Sequence, residues 1–265
     1  MTALQTTQKL PAGRYGLAHA ARMEWIKLRS LRSTLWALVA TVAGMLVIGI
    51  VTMANTHAPS PDKADTFDPV NNVLAGIALG QLIVGVLGVL VVTGEYSSGA
   101  IRSTLTAVPN RPLLLAAKAG VLGTVTLILG EVVAFATFFA GRLALSDGVL
   151  VPGLGDPGVP RAVVLSGAYL AMVGLLGIAL GAVVRHTAAA VGTLVGLLYV
   201  LPAALSGLTG VTVAKYFPTM IAGNSLAVSK PVADVLSPWV GFGVLCVYVL
   251  AALSAGGWLL TRRDA

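Results

Sequence analysis

The sequence contains few charged residues. Asp, Glu, Lys and Arg make up 10% of the 265 residues, and hydrophobic residues make up 57%. An ordinary soluble domain carries about 25% charged residues. Because so few polar groups cannot cover the surface of a water-soluble globule, the composition excludes an ordinary soluble domain.

Residues that carry out catalysis or bind metals are also scarce. The single cysteine, Cys246, excludes an intramolecular disulfide and is typical of a small buried hydrophobe. The three histidines are far apart, at positions 19, 57 and 186, and predict no metal site. Neither a G-x-S-x-G nucleophile motif nor a G-x-x-x-x-G-K-[ST] phosphate loop is present. We therefore predict no catalytic residue and no cofactor in this chain, and any ATP that drives it must bind to another chain.

Long uncharged runs replace these features. Six runs, with Glu131 as the one deep interruption, cover residues 33–57, 69–94, 119–141, 162–184, 186–214 and 235–261. About 20 apolar residues span a bilayer, and inside lipid such a run must be a helix. We predict an all-α polytopic membrane protein with helices at about 34–54, 70–93, 113–140, 161–184, 188–208 and 236–260. Residues 1–16 are predicted to be a disordered cytoplasmic tail, and 17–265 a single six-helix domain.

The basic residues lie mainly on one side of the predicted membrane. Cytoplasmic loops carry the excess of Lys and Arg. Twelve of the 17 basic residues fall on one side: Lys9, Arg14, Arg22, Lys27, Arg29, Arg32, Arg102, Arg111, Lys118, Arg185, Arg262 and Arg263. Both termini are therefore predicted to be cytoplasmic. A nucleic-acid partner is not predicted, because these residues flank membrane helices and do not form one face of a soluble domain.

Two segments outside the six runs favour short helices. Residues 17–36 place Leu17, Ala21, Trp25, Leu28, Leu31 and Leu35 on one arc. This arc is typical of a basic amphipathic helix in the inner interface, although Arg32 and Glu24 interrupt it; the alternative is a solvated flank of the first span. Residues 209–235 indicate one or two short helices at the outer face, with a plain loop as the alternative.

Glu131 is the only acidic residue deep in an apolar run. A carboxyl group in lipid is costly and marks a functional candidate by default. Three interpretations stay open: a packing hydrogen bond to a neighbouring helix, a place on a transport path, or a proton relay.

The polar segment GEYSSGAIRSTLTAVPNRP, residues 94–112, separates the second and third runs. A helix from about Ser98 to the residue before Pro109 places Ile101, Leu105 and Val108 on one stripe. Glu95, Arg102 and Thr106 then fall on another face. This pattern favours a short cytoplasmic helix whose apolar stripe docks in a groove of a partner protein; the alternative is a solvated connector.

The segment and its surroundings resemble the permease subunits of ABC exporters of the type-2 class. The likeness is carried by GEYSSGAIRSTLTAVPNRPLLLAAK, EWIKLRSLRSTLWAL, YVLPAALSG and AKYFPTMIAGNSL, and it spans nearly the whole chain. It implies a six-helix subunit in a bacterial plasma (inner) membrane that pairs with a second permease copy, identical or related. It also implies separate ATP-binding subunits that hold ATP and Mg²⁺, and short re-entrant helices in the outer loop between helices five and six.

The resemblance also implies roles for individual residues. The segment at 94–112 corresponds to a coupling helix that contacts the ATP-binding subunit, through Glu95, Tyr96, Gly99, Ile101, Arg102 and Leu105. The segment before the first span corresponds to an interface helix that includes Trp25, Lys27, Leu28 and Arg29.

We therefore expect an ATP-driven export permease. A secondary transporter or channel that uses Glu131 is the alternative, and a membrane-embedded enzyme would need a catalytic cluster that the sequence lacks. The Gly-rich apolar interior fits a lipid, a peptide or another amphiphile as the substrate.

Overall fold

A computed structural model describes residues 16–57, 67–144, 152–228 and 235–263, and within these ranges it contains helices and turns but no strand. The described α-helices are α1 (Leu17–Ser30), α2 (Arg32–Ala54), α3 (Pro69–Val73), α4 (Ile77–Ser97), α5 (Ile101–Ala107), α6 (Arg111–Leu143), α7 (Val159–Val184), α8 (Thr187–Val195), α9 (Leu201–Thr209), α10 (Val211–Ala214), α11 (Pro218–Leu226) and α12 (Pro238–Arg262). The predicted all-α class is confirmed. The predicted tail, apart from Gly16, lies outside the described residues.

Six helical segments in the described ranges are long and apolar enough to cross a membrane. They are Arg32–Ala54, Pro69–Ser97, Arg111–Leu143, Val159–Val184, Thr187–Leu208 and Pro238–Arg262, with mean hydropathy between 2.0 and 2.4. The second and third extend beyond their predicted bounds of 70–93 and 113–140. The second span continues to Ser97, and the chain turns only at Gly99, whose φ of +73° is one that glycine adopts without strain.

Helix α7 lies at the centre of the bundle. It packs against α4, α6, α8, α11 and α12. In its apolar window 72% of the residues are buried, whereas the corresponding share in α2 and in α12 is 22%. The peripheral helices therefore leave much of their apolar surface available to lipid or to a partner.

Glycines allow α7 to approach its neighbours closely. A Cβ atom added at Gly88 of α4 would overlap the carbonyl oxygen of Gly174, and one at Gly177 would overlap the carbonyl oxygen of Gly85. Small residues at such crossings let helix backbones come into contact in lipid. By contrast, a Cβ added at Gly192 or Gly196 meets no atom within 4 Å. Gly192 and Gly196 therefore make no such close contact within the described part of the chain.

The fifth span contains a local distortion before Pro202. A π-helical turn, Gly196–Val200, joins α8 to α9. Proline has no N–H to give to the carbonyl four residues earlier, which here belongs to Leu198. The hydroxyl of Thr219 in α11 donates a hydrogen bond to that oxygen instead. Pro202 thus accompanies a local distortion of the fifth span, and the carbonyl oxygen that it leaves free connects that span to α11.

The segment between the fifth and sixth spans carries α10 and α11, so the short helices expected there are present. Helix α11 packs against α7 and α12 through a buried face that includes Ile221, Ala222 and Leu226.

Replacement of Gly88 by alanine tests the central crossing. The added methyl group meets backbone that cannot rotate away, so we expect a loss of about 1–3 kcal/mol of stability. Thermal unfolding of the detergent-solubilised protein measures it. Gly120→Ala is the matched control, because an added Cβ there meets nothing within 4 Å and alanine favours the helix. Equal unfolding temperatures for the two variants would contradict the close crossing.

Candidate coupling site

Four charged side chains meet where α1, α4 and α6 come together, and we call them the charge cluster: Glu24 and Lys27 from α1, Glu95 from α4 and Lys118 from α6. The Nζ of Lys118 donates to Glu24 Oε2 at 2.9 Å and to Glu95 Oε1 at 2.7 Å. The Nζ of Lys27 donates to the same Glu95 oxygen at 2.7 Å and to Glu24 Oε1 at 3.3 Å. Each positive group thus lies between two negative groups.

The charge cluster is largely shielded from water. The side chains of Lys118 and Glu24 are only 4% and 5% exposed, and that of Glu95 is 13% exposed. A buried charge costs several kcal/mol unless it is paired and hydrogen-bonded. The charges of the two carboxylates and the two ammonium groups cancel. The Nζ of Lys118 donates a third hydrogen bond, to the carbonyl oxygen of Val91 at 3.3 Å. Among the described residues, Glu95 Oε2 is a buried oxygen without a hydrogen-bond partner.

Local sequence explains why these groups meet. Glu24 and Lys27 are three residues apart and therefore share a face of α1. That face packs against α6, with Leu28 only 7% exposed beside them. Glu95 stands in the last turn of α4 and Lys118 in the third turn of α6, so the short connection through α5 brings them to the same level.

Lys27 is the half-buried member of the charge cluster. Burial acts to lower the pKa of its ammonium group, but the hydrogen bond to Glu95 and the charges of Glu24 and Glu95 outweigh it. The pKa of Lys27 is therefore raised above its ordinary value of 10.5. The group is positively charged at every physiological pH.

The same ammonium group connects the charge cluster to α5. Lys27 Nζ donates to the hydroxyl oxygen of Thr104 at 3.0 Å. Thr104 lies on the inner face of α5, where it is 5% exposed and Ile101 is 7% exposed. The outer face presents Arg102 and Ser103 to solvent. One lysine thus joins α1, α4 and α5.

The structure corrects the predicted orientation of the short cytoplasmic helix. The sequence predicts a helix from about Ser98 with Ile101, Leu105 and Val108 free to dock in a partner. The helix begins only at Ile101, and Val108, 5% exposed, packs against α1 and α6 of the same chain. Glu95 belongs to α4 and does not share a face with Arg102. The three apolar residues do form a stripe, but Ile101 and Val108 are buried within this chain and Leu105 is half-buried.

The other predicted coupling residues differ in exposure. Gly99 is exposed in the turn between α4 and α5, and Leu105 is half-buried. Tyr96 is half-buried and lies under Arg185, whose Cζ is 5.3 Å from the ring centroid. Tyr96 therefore connects the end of α4 to the end of α7.

A helix, α1, occupies the position of the predicted interface helix, but its buried face differs from the predicted apolar arc. Trp25 is 45% exposed and Arg29 is also exposed, whereas Leu28 and Glu24 face inward. In the sequence pattern Glu24 interrupts the apolar arc, but in the structure its side chain belongs to the buried face of α1. Glu24, Thr104 and Lys118 are the residues of the site that sequence reasoning misses. The available signals were the spacing of Glu24 and Lys27 and the isolated lysine in LLLAAKAGVL.

Glu131 lies apart from the charge cluster, at the crossing of α6 and α7. A Cβ added at Gly167 would lie 2.6 Å from its carboxyl carbon, so the missing side chain of Gly167 makes room for the acid. The carboxyl group also accepts a hydrogen bond from the backbone of Ala168. These contacts favour the packing interpretation. Among the described residues, no group of His, Cys, Asp and Glu is arranged to hold a metal ion.

Replacement of Lys118 by methionine tests the charge cluster. The variant leaves two buried carboxylates with one half-exposed lysine, so we expect a loss of about 3–5 kcal/mol of stability. Denaturant or thermal unfolding in detergent measures it. Arg29→Met is the control, because Arg29 is exposed and a surface change there is expected to stay within about 0.5 kcal/mol. A loss no larger than in the control would mean that the ion pairs do not hold the helices together.

The raised pKa of Lys27 predicts a pH dependence at the alkaline end. The contribution of Lys27 to stability is fully present below 10.5, the ordinary pKa of its ammonium group, and is lost as pH rises through the higher pKa of the folded state. Between pH 9 and 12 the stability of the wild type should therefore approach that of Lys27→Met. Parallel unfolding curves across that range would show that the ammonium group contributes nothing.

The sequence of this chain also matches a known protein family. Residues 20–203, more than two thirds of the chain, match the family described as "ABC-2 family transporter protein". The match includes most of α1, the charge cluster and α5. Among the curated proteins no significant relative is found. Six membrane-crossing helices and the family match agree, and the chain belongs to the ABC-2 transporter family.

Proposed function

We propose that this multi-pass membrane protein is the permease subunit of an ATP-driven exporter. Membership of a transporter family and the six spans support this proposal. ATP and Mg²⁺ bind to separate ATP-binding subunits, and this chain receives their movement. Its own residues carry out no covalent chemistry.

The observation that carries the proposal is the two-sided environment of α5. Its inner face is tied to the charge cluster by the hydrogen bond from Lys27 to Thr104, and its outer face is open. A partner that displaces the outer face moves Thr104 and hence Lys27. Because Lys27 shares Glu95 with Lys118, the displacement reaches α1, α4 and α6 together.

The contact with the ATP-binding subunit is assigned to the exposed side of α5. Arg102 has no ion pair within the described part of the chain, so its guanidinium is available to a carboxylate of the partner. Gly99 and Leu105 lie at the edges of this contact, and Tyr96 lies behind it. Glu95 and Ile101 act from the inside, by fixing α5 to the membrane helices.

A second permease copy is part of the proposal. The fifth span has an open face on which added Cβ atoms at Gly192, Gly196 and Gly207 meet no atom within 4 Å. Leu208 is 82% exposed at the end of the same span. Small residues at helix-packing spacing beside exposed apolar side chains suit a helix of another subunit. The partner copy is identical or a related permease.

The proposed orientation places both termini and α5 in the cytoplasm of a bacterium, since the basic loops lie on that side. Export of an amphiphile fits the apolar, Gly-rich bundle. The alternative, a secondary transporter that uses Glu131, receives less support because Gly167 and Ala168 account for the carboxyl group as a packing element.

The test is Arg102→Glu in the full chain, expressed together with the genes that flank its own, so that an ATP-binding subunit encoded among them can assemble with it. Charge reversal on the exposed face should weaken the complex at least tenfold, the factor that corresponds to about 1.4 kcal/mol. Co-purification of the two subunits and the ATPase activity of the complex are the measurements.

Arg142→Glu is the charge-matched control, because Arg142 is an exposed arginine at the opposite end of α6. It should leave the complex unchanged. The proposal is overturned if no ATP-binding subunit co-purifies with the wild type, or if Arg102→Glu assembles and hydrolyses ATP like the wild type.

A further inference from the structure

An open groove of about 670 Å³ runs between the beginning of α6 and the end of α12. Pro112, Leu115, Ala116 and Ala119 form one wall, and the other is formed by Leu250, Leu253, Ser254, Gly257, Trp258 and Thr261. None of these lining residues is charged, and Ser254 and Thr261 are the only ones with a hydroxyl group. The groove lies away from the charge cluster and from the open face of the fifth span.

The length of the groove matches one leaflet of a bilayer. On α12 it extends over eleven residue steps, from Leu250 to Thr261, which correspond to about 16 Å of helix. Half of a hydrocarbon core is about 15 Å thick. Both walls lie at the ends of their spans that carry the basic residues, so the groove has the depth and position of an inner-leaflet acyl chain.

The polar end of the groove is positively charged. The guanidinium of Arg262 lies over Trp258, with its Cζ 4.5 Å from the ring centroid, and Trp258 lines the groove. Arg262 is exposed and forms no ion pair within the described residues. The next residue, Arg263, is exposed as well, but its Nη1 donates to the carbonyl oxygen of Val183 in α7 at 3.3 Å. Arg262 therefore supplies the positive charge beside Trp258.

Two other arginines, Arg111 and Arg185, bind carbonyl oxygens at the end of α12, so that Arg262 is not required for this purpose. Arg111 Nη1 donates to the carbonyl oxygens of Leu260 and Arg263 at 2.6 and 2.8 Å, and Arg185 Nη2 donates to that of Leu259 at 3.1 Å. These contacts satisfy two of the last four carbonyls of α12, those of Leu259 and Leu260, and offset the negative end of its dipole. Arg262 is therefore not needed there, and its charge faces the mouth of the groove.

We propose that the groove binds an anionic phospholipid of the inner leaflet, with one acyl chain along α12 and the phosphate at Arg262. A chain of this length fills the apolar walls, and the guanidinium supplies charge-assisted hydrogen bonds to the phosphate. The indole of Trp258 lies at the boundary between the two, the position that tryptophan favours in membrane proteins. This site is independent of the proposed transport function.

Native mass spectrometry of the full-length protein in detergent tests the site by titration with dioleoylphosphatidylglycerol or dioleoylphosphatidylcholine. The wild type should prefer the anionic lipid. Arg262→Gln should weaken phosphatidylglycerol binding about fivefold, the effect of one basic residue near anionic lipid. It should weaken phosphatidylcholine binding less, because the choline group of that lipid offsets the charge of its phosphate. Gly257→Leu and Ser254→Phe, which fill the groove at half-buried and exposed positions, should weaken both lipids.

Arg29→Gln is the control for non-specific attraction, because Arg29 is an exposed arginine on α1 near the same membrane surface. It should bind phosphatidylglycerol like the wild type, and an excess of glycerol 3-phosphate should not displace the lipid. The proposal is overturned if the wild type binds both lipids equally, or if Arg29→Gln weakens binding as much as Arg262→Gln. Displacement by glycerol 3-phosphate would likewise overturn it, since the site would then recognise a free phosphate.

Discussion

The ammonium group of Lys118 lies where water scarcely reaches it, and two carboxylates from different helices surround it. In a medium of low dielectric constant such a group is tolerable only with counter-charges at hydrogen-bond distance. Glu24 on α1 and Glu95 on α4 supply those charges, and Lys27 balances the second carboxylate. The position of α1 against the membrane bundle follows from this requirement, and so does that of α5 through Thr104.

The remainder of the bundle is arranged around α7 by a different kind of contact. Where glycines face each other across α4 and α7, the backbones touch, and dispersion replaces charge as the attractive force. The protein thus has a closely packed membrane core and, at its basic end, an electrostatic junction. The junction holds α1 and α5, the elements that follow the partner subunit in the proposed function, whereas the core keeps the helices in register.

The sequence predicts the six spans well because their length is set by the bilayer and needs no knowledge of tertiary contacts. The distortion before Pro202 has a similarly local cause, since the missing N–H belongs to the proline itself. It does not predict that Glu24 faces inward, because on an isolated helix that residue only interrupts an apolar arc. The partner that makes it favourable, Lys118, is 94 residues away. The sequence pattern also does not predict that α5 begins only at Ile101. The left-handed conformation of Gly99 ends the preceding turn and separates Glu95 from Arg102.

The balanced composition of the charge cluster has an electrical consequence. A single charge that moves across a membrane potential of 100 mV exchanges about 2.3 kcal/mol with the field. Two ammonium groups and two carboxylates that move together carry no net charge, so their displacement exchanges none. In the proposed coupling mechanism, the charge cluster itself therefore adds no dependence on the membrane potential to the movement that passes through it.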